Sequence, residues 1–219
     1  MLLCMDTMDK RFLLILTAII VVFVGIFMFG KSDNSSSGNG SGKAQPSNHV
    51  VGANTKGVAL VEYGDYQCPA CAQYFPIVKE IKAKYGDQIS FRFANFPLVQ
   101  IHPNAMVSAR AAEAAGMQGK FWEMHDLLYG NQSAWASSSN ASAIFEQYAK
   151  DLGLDVNKFK QDAASSGVLD AINADTAEVQ ALGGDSTPTF VINGKKIENP
   201  TSLEGFTKAI DEAIKNANQ

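Results

Sequence analysis

Three short segments of the chain have the hydrophobic pattern of β-strands. Val58–Tyr63 is a largely apolar run between two glycines, which is typical of a strand buried on both faces. Ile89–Phe93 alternates apolar and polar residues with a period of two. Thr189–Ile192 is followed by the turn signal Asn193-Gly194, which predicts a hairpin to a fourth strand at Lys195–Ile197.

Helical periodicity fills the intervals between these strands. After residue 68, apolar side chains recur at helical spacing until Gly86-Asp87 ends the run. The positions on this stripe are Phe75, Val78, Ile81 or Lys82, and Tyr85. From Asn104 to about Gly183 nearly every signal is helical, with helices predicted near Ala141–Leu152 and Val168–Leu182 and a loop at Gly130–Asn140.

A last helix is predicted near the C-terminus. Its start carries the capping box Thr201-x-x-Glu204, and the apolar stripe that follows contains Leu203, Phe206, Ile210 and Ile214. The predicted order is therefore strand, helix, strand, helical block, hairpin and helix. This order is typical of an α/β domain.

A membrane span is predicted near the N-terminus. Phe12–Gly30 carries no charge, and at about 1.5 Å per residue it is roughly as long as the hydrocarbon layer of a bilayer is thick. Lys10 and Arg11 precede it, so the positive-inside tendency places residues 1–11 in the cytoplasm and the rest of the chain outside. The alternative is a cleaved signal peptide, but no small-residue cleavage site follows. We expect a single-pass cell-membrane protein with an extracytoplasmic domain.

A Ser-, Gly- and Asn-rich stretch follows the span. Residues 31–48 show no apolar periodicity, and their composition is typical of a flexible coil. We therefore expect residues 49–219 to form one folded domain, tethered to the membrane through this linker.

Composition restricts the partners of this domain. Of the 219 residues, 46% are apolar and 18% are charged, which is enough for a core of ordinary size. The 18 basic and 22 acidic residues give a formal net charge of −4, which argues against nucleic-acid binding through a basic surface. The three cysteines are too few for a disulfide scaffold. Cys4 precedes the span and is interpreted as an incidental reduced thiol.

Cys68-Pro69-Ala70-Cys71 lies where the first strand turns into the first helix. Four interpretations compete: half a zinc site, a haem attachment site, a structural bridge and a redox-active dithiol. Haem attachment needs a histidine next, and Ala72 is there instead. A zinc site needs further ligands, for which the other candidates are carboxylates, His49, His102 and His125. The position at a helix start makes us favour the redox dithiol.

This position also predicts which cysteine is reactive. Pro69 suits the first helical position because its missing N–H would be unpaired there, which makes Cys68 the N-cap residue. The free N–H groups of Ala70 and Cys71, together with the helix dipole, then favour thiolate over thiol. We predict Cys68 as the nucleophile and Cys71, one turn further in and buried, as the resolving thiol. Because a stabilised thiolate stabilises the reduced pair, the disulfide should be an oxidant.

Five segments carry a resemblance to a known family. VEYGDYQCPAC, FANFPL, IHPNA, FWEMHDLL and TPTFVINGKKI, in this order from about His49 to the C-terminus, resemble the DsbA-type, thioredoxin-fold disulfide oxidoreductases. The resemblance implies a thioredoxin fold with a helical insertion at about residues 100–183. It also implies a redox-active Cys68–Cys71 disulfide with no other cofactor and no metal. Best-known enterobacterial members have Pro-His between the cysteines, so this chain lacks a positive charge near the thiolate.

The resemblance also implies partners and further site residues. The protein would pass its disulfide to secreted or membrane proteins and be reoxidised by a DsbB-like or VKOR-like membrane partner. A cis peptide bond at Pro188 would hold the Thr187 backbone beside Cys68, where it can pair with an extended substrate. Pro69 and Ala70 are assigned to the same substrate-binding surface.

Glu62 lies six residues before Cys68 in an otherwise apolar strand. An unpaired buried carboxylate is costly and tends to bind a proton. Similar family members carry an acid at this place, so we expect Glu62 to relay the proton of Cys71. The alternative is an edge-strand glutamate that reaches water.

Two other functions would use the same residues. A membrane-anchored thiol reductase would share the fold and the motif but act in the opposite direction. A metal carrier would bind its ion through Cys68, Cys71, His102 or nearby Met106. His102 itself lies in a Pro-flanked loop, and we interpret it as a hydrogen-bonded loop histidine.

Overall fold

The computed structural model describes residues 44–218. The predicted cytoplasmic segment 1–11, the predicted span 12–30 and the linker up to residue 43 lie outside the described residues, so these three remain predictions. Between residues 44 and 218, no helix combines the length and the hydropathy that crossing a bilayer requires.

The centre of the domain is a five-stranded mixed sheet with the strand order β1-β3-β2-β4-β5. Its strands are β1 His49–Val51, β2 Val58–Gly64, β3 Ile89–Asn95, β4 Thr189–Ile192 and β5 Lys195–Lys196. β2 and β3 run parallel, and the other neighbouring pairs are antiparallel. The four predicted strands are present, and β1 is additional because three residues are too few to form a recognisable pattern.

β2 is the central strand that leads to the cysteines. It pairs with β3 on one side and with β4 on the other, and Glu62 lies opposite both Phe93 and Phe190. Because side chains alternate along a strand, Leu60 and Glu62 point to one face of the sheet and Tyr63 points to the other. Glu62 is therefore not on an edge strand, and the alternative of an edge glutamate that reaches water is wrong.

Helices cover both faces of the sheet. Their bounds are α1 Pro69–Tyr85, α2 Ala105–Gly116, α3 Phe121–Gly130, α4 Gln132–Trp135, α5 Ala141–Asp151, α6 Val156–Ala164, α7 Ser166–Ala181 and α8 Leu203–Ala217, with a 3-10 turn at Gly86–Gln88. Helices α2 to α7 lie between β3 and β4, where the helical insertion was expected. On the Glu62 face, Leu60 shares the main core with Ile81 of α1 and Phe206 of α8. On the other face, Tyr63 packs in a smaller cluster with Val179 of α7.

Three local predictions differ from the structure. The last helix is capped by Ser202, whose hydroxyl accepts a hydrogen bond from the Gly205 N–H at 3.1 Å, so the capping box at Thr201 was placed one residue too early.

The predicted loop Gly130–Asn140 contains the short helix α4. Trp135 at its end is fully buried, with its ring N–H donating to the Leu128 carbonyl at 2.9 Å, a contact that the polar local sequence does not reveal. Helix α6 was also not predicted.

Residues before β1 are already fixed to the domain. The Ser47 N–H and hydroxyl donate to the two carboxylate oxygens of Asp175 at 2.9 and 2.5 Å, and the Ser47 carbonyl accepts from Arg92 at 2.9 Å. The fixed part of the chain therefore includes residues that the sequence pattern assigned to the linker. A polar segment held by hydrogen bonds leaves no hydrophobic pattern to detect.

Candidate active site

The two cysteines lie at the start of α1, directly beyond the end of the central strand. Cys68 is the N-cap residue in an extended conformation, and Pro69 occupies the first helical turn. Cys68 retains 7% of its surface exposure, whereas Cys71 is completely buried and neither is in a disulfide. Only the first sulfur is therefore within reach of another protein.

The loop before β4 lies against Cys68. The Thr187–Pro188 peptide bond is cis, as the resemblance implied, and the Cys68 sulfur lies 3.5 Å from the Thr187 carbonyl oxygen, to which it donates when it is protonated. Pro69 is exposed, and Ala70 and Thr187 are partly exposed. These residues form the accessible surface around Cys68.

Hydrogen bonds from the helical insertion hold the turn between β2 and α1. The Gln132 amide donates to the carbonyls of Tyr66 and Cys68 at 2.8 and 2.9 Å. The Gln67 side chain donates to the Ala136 carbonyl at 2.7 Å and accepts from the Asn104 N–H at 2.6 Å. Sequence analysis missed these roles, because contacts between residues so far apart in the chain leave no local pattern.

The surroundings of Cys68 favour its thiolate. Its pKa falls to about 5, mainly because the Cys71 thiol donates a hydrogen bond to the Cys68 sulfur. Burial opposes this shift, and the Thr187 hydroxyl and the N–H groups of Cys71 and Ala70 add to it. No capping hydrogen bond of normal geometry reaches the sulfur. The pKa of Cys68 is lowered, as the sequence predicts. The hydrogen bond from the Cys71 thiol contributes more to this shift than the helix N–H groups that the sequence indicated.

Cys71 has the opposite electrostatics. Burial is the main reason that its pKa lies well above the ordinary range, and the Cys68 hydrogen bond and the charge of Glu62 raise it further. Cys71 therefore stays a thiol at neutral pH. Two cysteines that are three residues apart thus have opposite protonation states.

Glu62 lies buried on the same face of the sheet as the cysteine-bearing helix. It is 2% exposed, and its Oε1 atom has no hydrogen-bond partner among residues 44–218. Burial raises its pKa to about 8, against the opposing charge of Lys82. Glu62 is therefore mostly a protonated, uncharged acid at neutral pH. It lies close enough to Cys71 that its negative charge, once the carboxyl ionises, raises the pKa of that thiol.

Lys82 is a further residue of this region that sequence analysis did not assign to the site. Its ammonium group lies 4.4 Å from the ring centroid of Trp122 and 5.3 Å from that of Phe91. Lys82 also lines an open cavity of about 380 Å³ with Trp122 and Phe91. The ambiguity between Ile81 and Lys82 on the predicted apolar stripe was the one available signal for its inward position.

His102 supports the turn. Its Nδ1 lies 2.7 Å from Asp65 Oδ2, and Asp65 also accepts the N–H groups of Leu98 and Gln67 at 2.9 and 2.8 Å. This arrangement agrees with the interpretation as a hydrogen-bonded loop histidine. Within the described part of the chain, no three or more His, Cys, Asp or Glu side chains are grouped so that they could hold a metal ion.

In this domain a buried strand leads into a helix that starts with C-x-x-C, and a cis-proline loop lies opposite the cysteines. This combination defines the thioredoxin-like class of proteins. The chain belongs to the thioredoxin family, because the family model described as "Thioredoxin" matches residues 44–212. Its α/β fold, with six helices inserted between β3 and β4, is similar to the fold of DsbA-type thiol-disulfide exchange proteins.

Solved structures support this assignment. A thioredoxin-like oxidoreductase from Silicibacter pomeroyi DSS-3 is 26% identical and covers 76% of this chain and 92% of its own, with a TM-score of 0.63. BdbD from Bacillus subtilis is 24% identical and covers 79% and 97%, with a TM-score of 0.66. Alpha-DsbA1 from Wolbachia pipientis is 22% identical and covers 79% and 94%, with a TM-score of 0.66. The last two likenesses concern the fold alone.

Curated relatives are longer proteins. The Na(+)/H(+) antiporter NhaA 1 of Mycolicibacterium gilvum (strain PYR-GCK) is 35% identical over 165 residues, which cover 74% of this chain and 26% of that protein. A protein of the same name from Salinispora arenicola (strain CNS-205) is 37% identical, with 76% and 24% covered. The chain spans about a quarter of the length of these relatives, so the ion transport in their names is not carried over to it.

Proposed function

We propose that the protein is an extracytoplasmic thiol-disulfide oxidoreductase that donates a Cys68–Cys71 disulfide to cysteine-containing secreted or membrane proteins. The observation that carries this proposal is the electrostatic contrast between the two thiols. Cys68 is accessible and has a pKa of about 5, whereas Cys71 is buried with a pKa well above the ordinary range.

The reaction follows from this contrast. A substrate thiolate attacks Cys68 Sγ, the Cys68–Cys71 bond breaks, and its electron pair goes to Cys71 Sγ. The protonated Glu62 carboxyl supplies the proton that this buried sulfur needs. A second substrate thiolate then attacks the substrate sulfur of the mixed disulfide, and Cys68 leaves as a thiolate. A thiol of low pKa is a good leaving group, so the second step is fast.

The surface around Cys68 receives the substrate. The Thr187 backbone beside the sulfur offers hydrogen bonds to an extended substrate segment, as in strand addition. Pro69 and Ala70 form the other side of this surface. The site needs no cofactor beyond its own disulfide, because both electrons of the reaction go to the two cysteines.

The low pKa of Cys68 favours the oxidase direction over the reductase alternative. A stabilised thiolate stabilises the reduced protein, so its disulfide gives up its oxidising equivalents readily. We place this chemistry on the outer side of the cell membrane, with residues 12–30 as the anchor. A DsbB-like or VKOR-like membrane protein would restore the disulfide.

The reduction potential tests the direction. Equilibration of the domain with glutathione buffers should give a value well above the roughly −270 mV typical of thioredoxin. A value near or below that of thioredoxin would contradict the oxidase proposal and support the reductase. In cells, Cys71→Ser should accumulate mixed disulfides through Cys68, and the captured proteins would identify the substrates. Traps that form only on Cys71 would overturn the assignment of roles.

A further inference from the structure

Two buried polar groups near Cys71 have no hydrogen-bond partner within the described residues. They are Oε1 of Glu62 and the hydroxyl of Tyr129, on side chains that are 2% and 5% exposed in total. Nearly all buried polar groups in native proteins are paired, so each exception calls for an explanation. The proposed reaction explains Glu62 but makes no use of Tyr129.

The Tyr129 ring is held firmly in the core. It comes from α3 and packs against the rings of Tyr66, Phe75 and His125 with centroid distances of 4.8, 5.5 and 5.1 Å. Its hydroxyl points at the end of β2, where a Cβ atom added to Gly64 would lie 2.8 Å from the oxygen. The missing side chain at Gly64 therefore makes room for this hydroxyl.

The Cys71 side chain also lies near the carboxyl end of β2. The backbone N–H of Asp65, the residue after Gly64, is near enough to the Cys71 sulfur to lower the pKa of that thiol, and the Asp65 carbonyl accepts from the Cys68 N–H at 3.0 Å. Consistent with this proximity, the negative charge of Cys71 or of Glu62, when either group ionises, raises the pKa of Tyr129. The Cys71 sulfur, the Glu62 carboxyl and the Tyr129 hydroxyl therefore lie around the carboxyl end of β2.

We propose that the Tyr129 hydroxyl donates a hydrogen bond to the Cys71 thiolate at the moment when this sulfur leaves the disulfide. This inference rests on the proposed function and adds one residue to its site. Burial raises the pKa of Tyr129 well above the ordinary range, so the hydroxyl keeps its proton and stabilises charge only. The proton that neutralises Cys71 comes from Glu62, whose carboxylate is then reprotonated from water. When Cys71 attacks a mixed disulfide in the reverse direction, the same hydroxyl stabilises the attacking thiolate.

Tyr129→Phe tests this proposal because it removes only the unpaired hydroxyl. Glutathione is attached to Cys68 as a mixed disulfide, and the rate at which Cys71 releases it is followed against pH. We expect release about tenfold slower at neutral pH, with the Cys71 limb of the pH profile moved to higher pH, as for the loss of one hydrogen bond to a charged group. The thiolate titration of Cys68 should not move. Thermal stability should stay the same or rise, because a buried unpaired hydroxyl is lost.

Tyr85→Phe is the matched control. Tyr85 is a buried tyrosine at the far end of α1, and its hydroxyl has partners, donating to Asp211 at 2.7 Å. This variant should lose stability and keep the wild-type release rate and pH profile. If Tyr129→Phe is poorly folded, p-aminophenylalanine at position 129 keeps a donor and should restore most of the rate.

The outcomes separate the inference from the function on which it rests. A wild-type release rate in Tyr129→Phe would overturn the Tyr129 proposal and leave the proposed function intact. Slow release in Tyr129→Phe could also come with a shift of the Cys68 thiolate titration as large as that of the Cys71 limb, or without rescue by p-aminophenylalanine. Either result would mean that Tyr129 acts by packing, and would overturn the Tyr129 proposal. If Cys71 of the wild-type protein never released glutathione, the proposed function itself would fail.

Discussion

Two adjacent strands carry ionisable side chains on opposite faces of the sheet, and the environments of these side chains differ. Arg92 of β3 donates to Asp175 at 2.7 Å, to Glu178 at 2.8 Å and to the Ser47 carbonyl at 2.9 Å. On the other face, Glu62 of β2 has one carboxyl oxygen without a partner in residues 44–218. Burial raises the pKa of both Asp175 and Glu62, but hydrogen bonds from Ser47 and Asn95 oppose the shift only at Asp175.

This difference in pairing distinguishes the Arg92 network, which is structural, from the polar groups around Cys71, which are reactive. The Arg92 network joins the segment before β1 to the helical insertion, and its hydrogen bonds favour one arrangement. Around Cys71, in contrast, polar groups remain free to respond when charge moves between the sulfur atoms. Extensive pairing far from the reactive atoms indicates a role in stability, and an unpaired buried acid beside a reactive atom indicates a role in chemistry.

Removal of Asp175 should have the largest effect on stability. Asp175→Ala leaves the Arg92 guanidinium without its buried partner, which should cost about 3–5 kcal/mol of unfolding free energy. Denaturant unfolding measures this loss, while the Cys68 thiolate titration should not change. Glu178→Ala is the control, because Glu178 is partly exposed and should cost about 1 kcal/mol or less. A shifted Cys68 titration in Asp175→Ala would remove the proposed separation of the two regions.

Glu62 should make the unfolding free energy of the protein vary strongly with pH. The folded-state pKa is about 8 against an ordinary 4.5, so the folded protein retains a proton that the unfolded chain loses. Stability therefore falls as pH rises from about 4.5 to about 8, by on the order of 4 kcal/mol at about 1.4 kcal/mol per pKa unit. Glu62→Gln should remove this dependence and slow thiol exchange. The exposed Glu80→Gln is the control.

A parallel pH curve for Glu62→Gln and the wild type would show that Glu62 does not hold a proton in the fold. An unchanged exchange rate in the same variant would count against the proton relay.

Cys71→Ala should raise the pKa of Cys68, because the Cys71 thiol is the largest cause of its lowering. We expect a rise of roughly one unit or more. Absorbance of the thiolate near 240 nm against pH measures it. An unchanged midpoint would instead attribute the low pKa to the helix amides and the Thr187 hydroxyl.

The smallest expected effect concerns Lys82. Its charge lowers the pKa of Glu62, so Lys82→Met should move the Glu62-dependent stability change to higher pH by less than about one unit. Lys79→Met is the matched control on the same helix, because Lys79 is exposed and pairs with Asp126 at 3.3 Å. Equal shifts in both variants would indicate a general surface-charge effect.

Local sequence features were sufficient to place the first cysteine. Pro69 after Cys68, at the junction of an apolar strand and a helical stripe, predicted the N-cap position that the structure has. The family resemblance implied the cis bond before Pro188. Such features involve neighbours in sequence, where backbone preferences and periodicity are informative.

Long-range contacts were not predictable in this way. Gln132 and Asp175 reach their hydrogen-bond partners across the fold, and nothing in their local sequence distinguishes them from surface residues. The sequence also assigned the Cys68 thiolate to helix amides, although the Cys71 thiol contributes more. That contribution depends on side-chain orientation within one turn, which spacing alone does not determine.

A titration of the reduced wild-type domain tests the central claim most directly. Thiolate absorbance, or the rate of alkylation with iodoacetamide, is followed from about pH 3 to 10. The account predicts that one cysteine ionises with a midpoint near pH 5 and that the other shows no ionisation below pH 9. Two thiols that ionise together near pH 8 to 9, as free cysteine does, would contradict it.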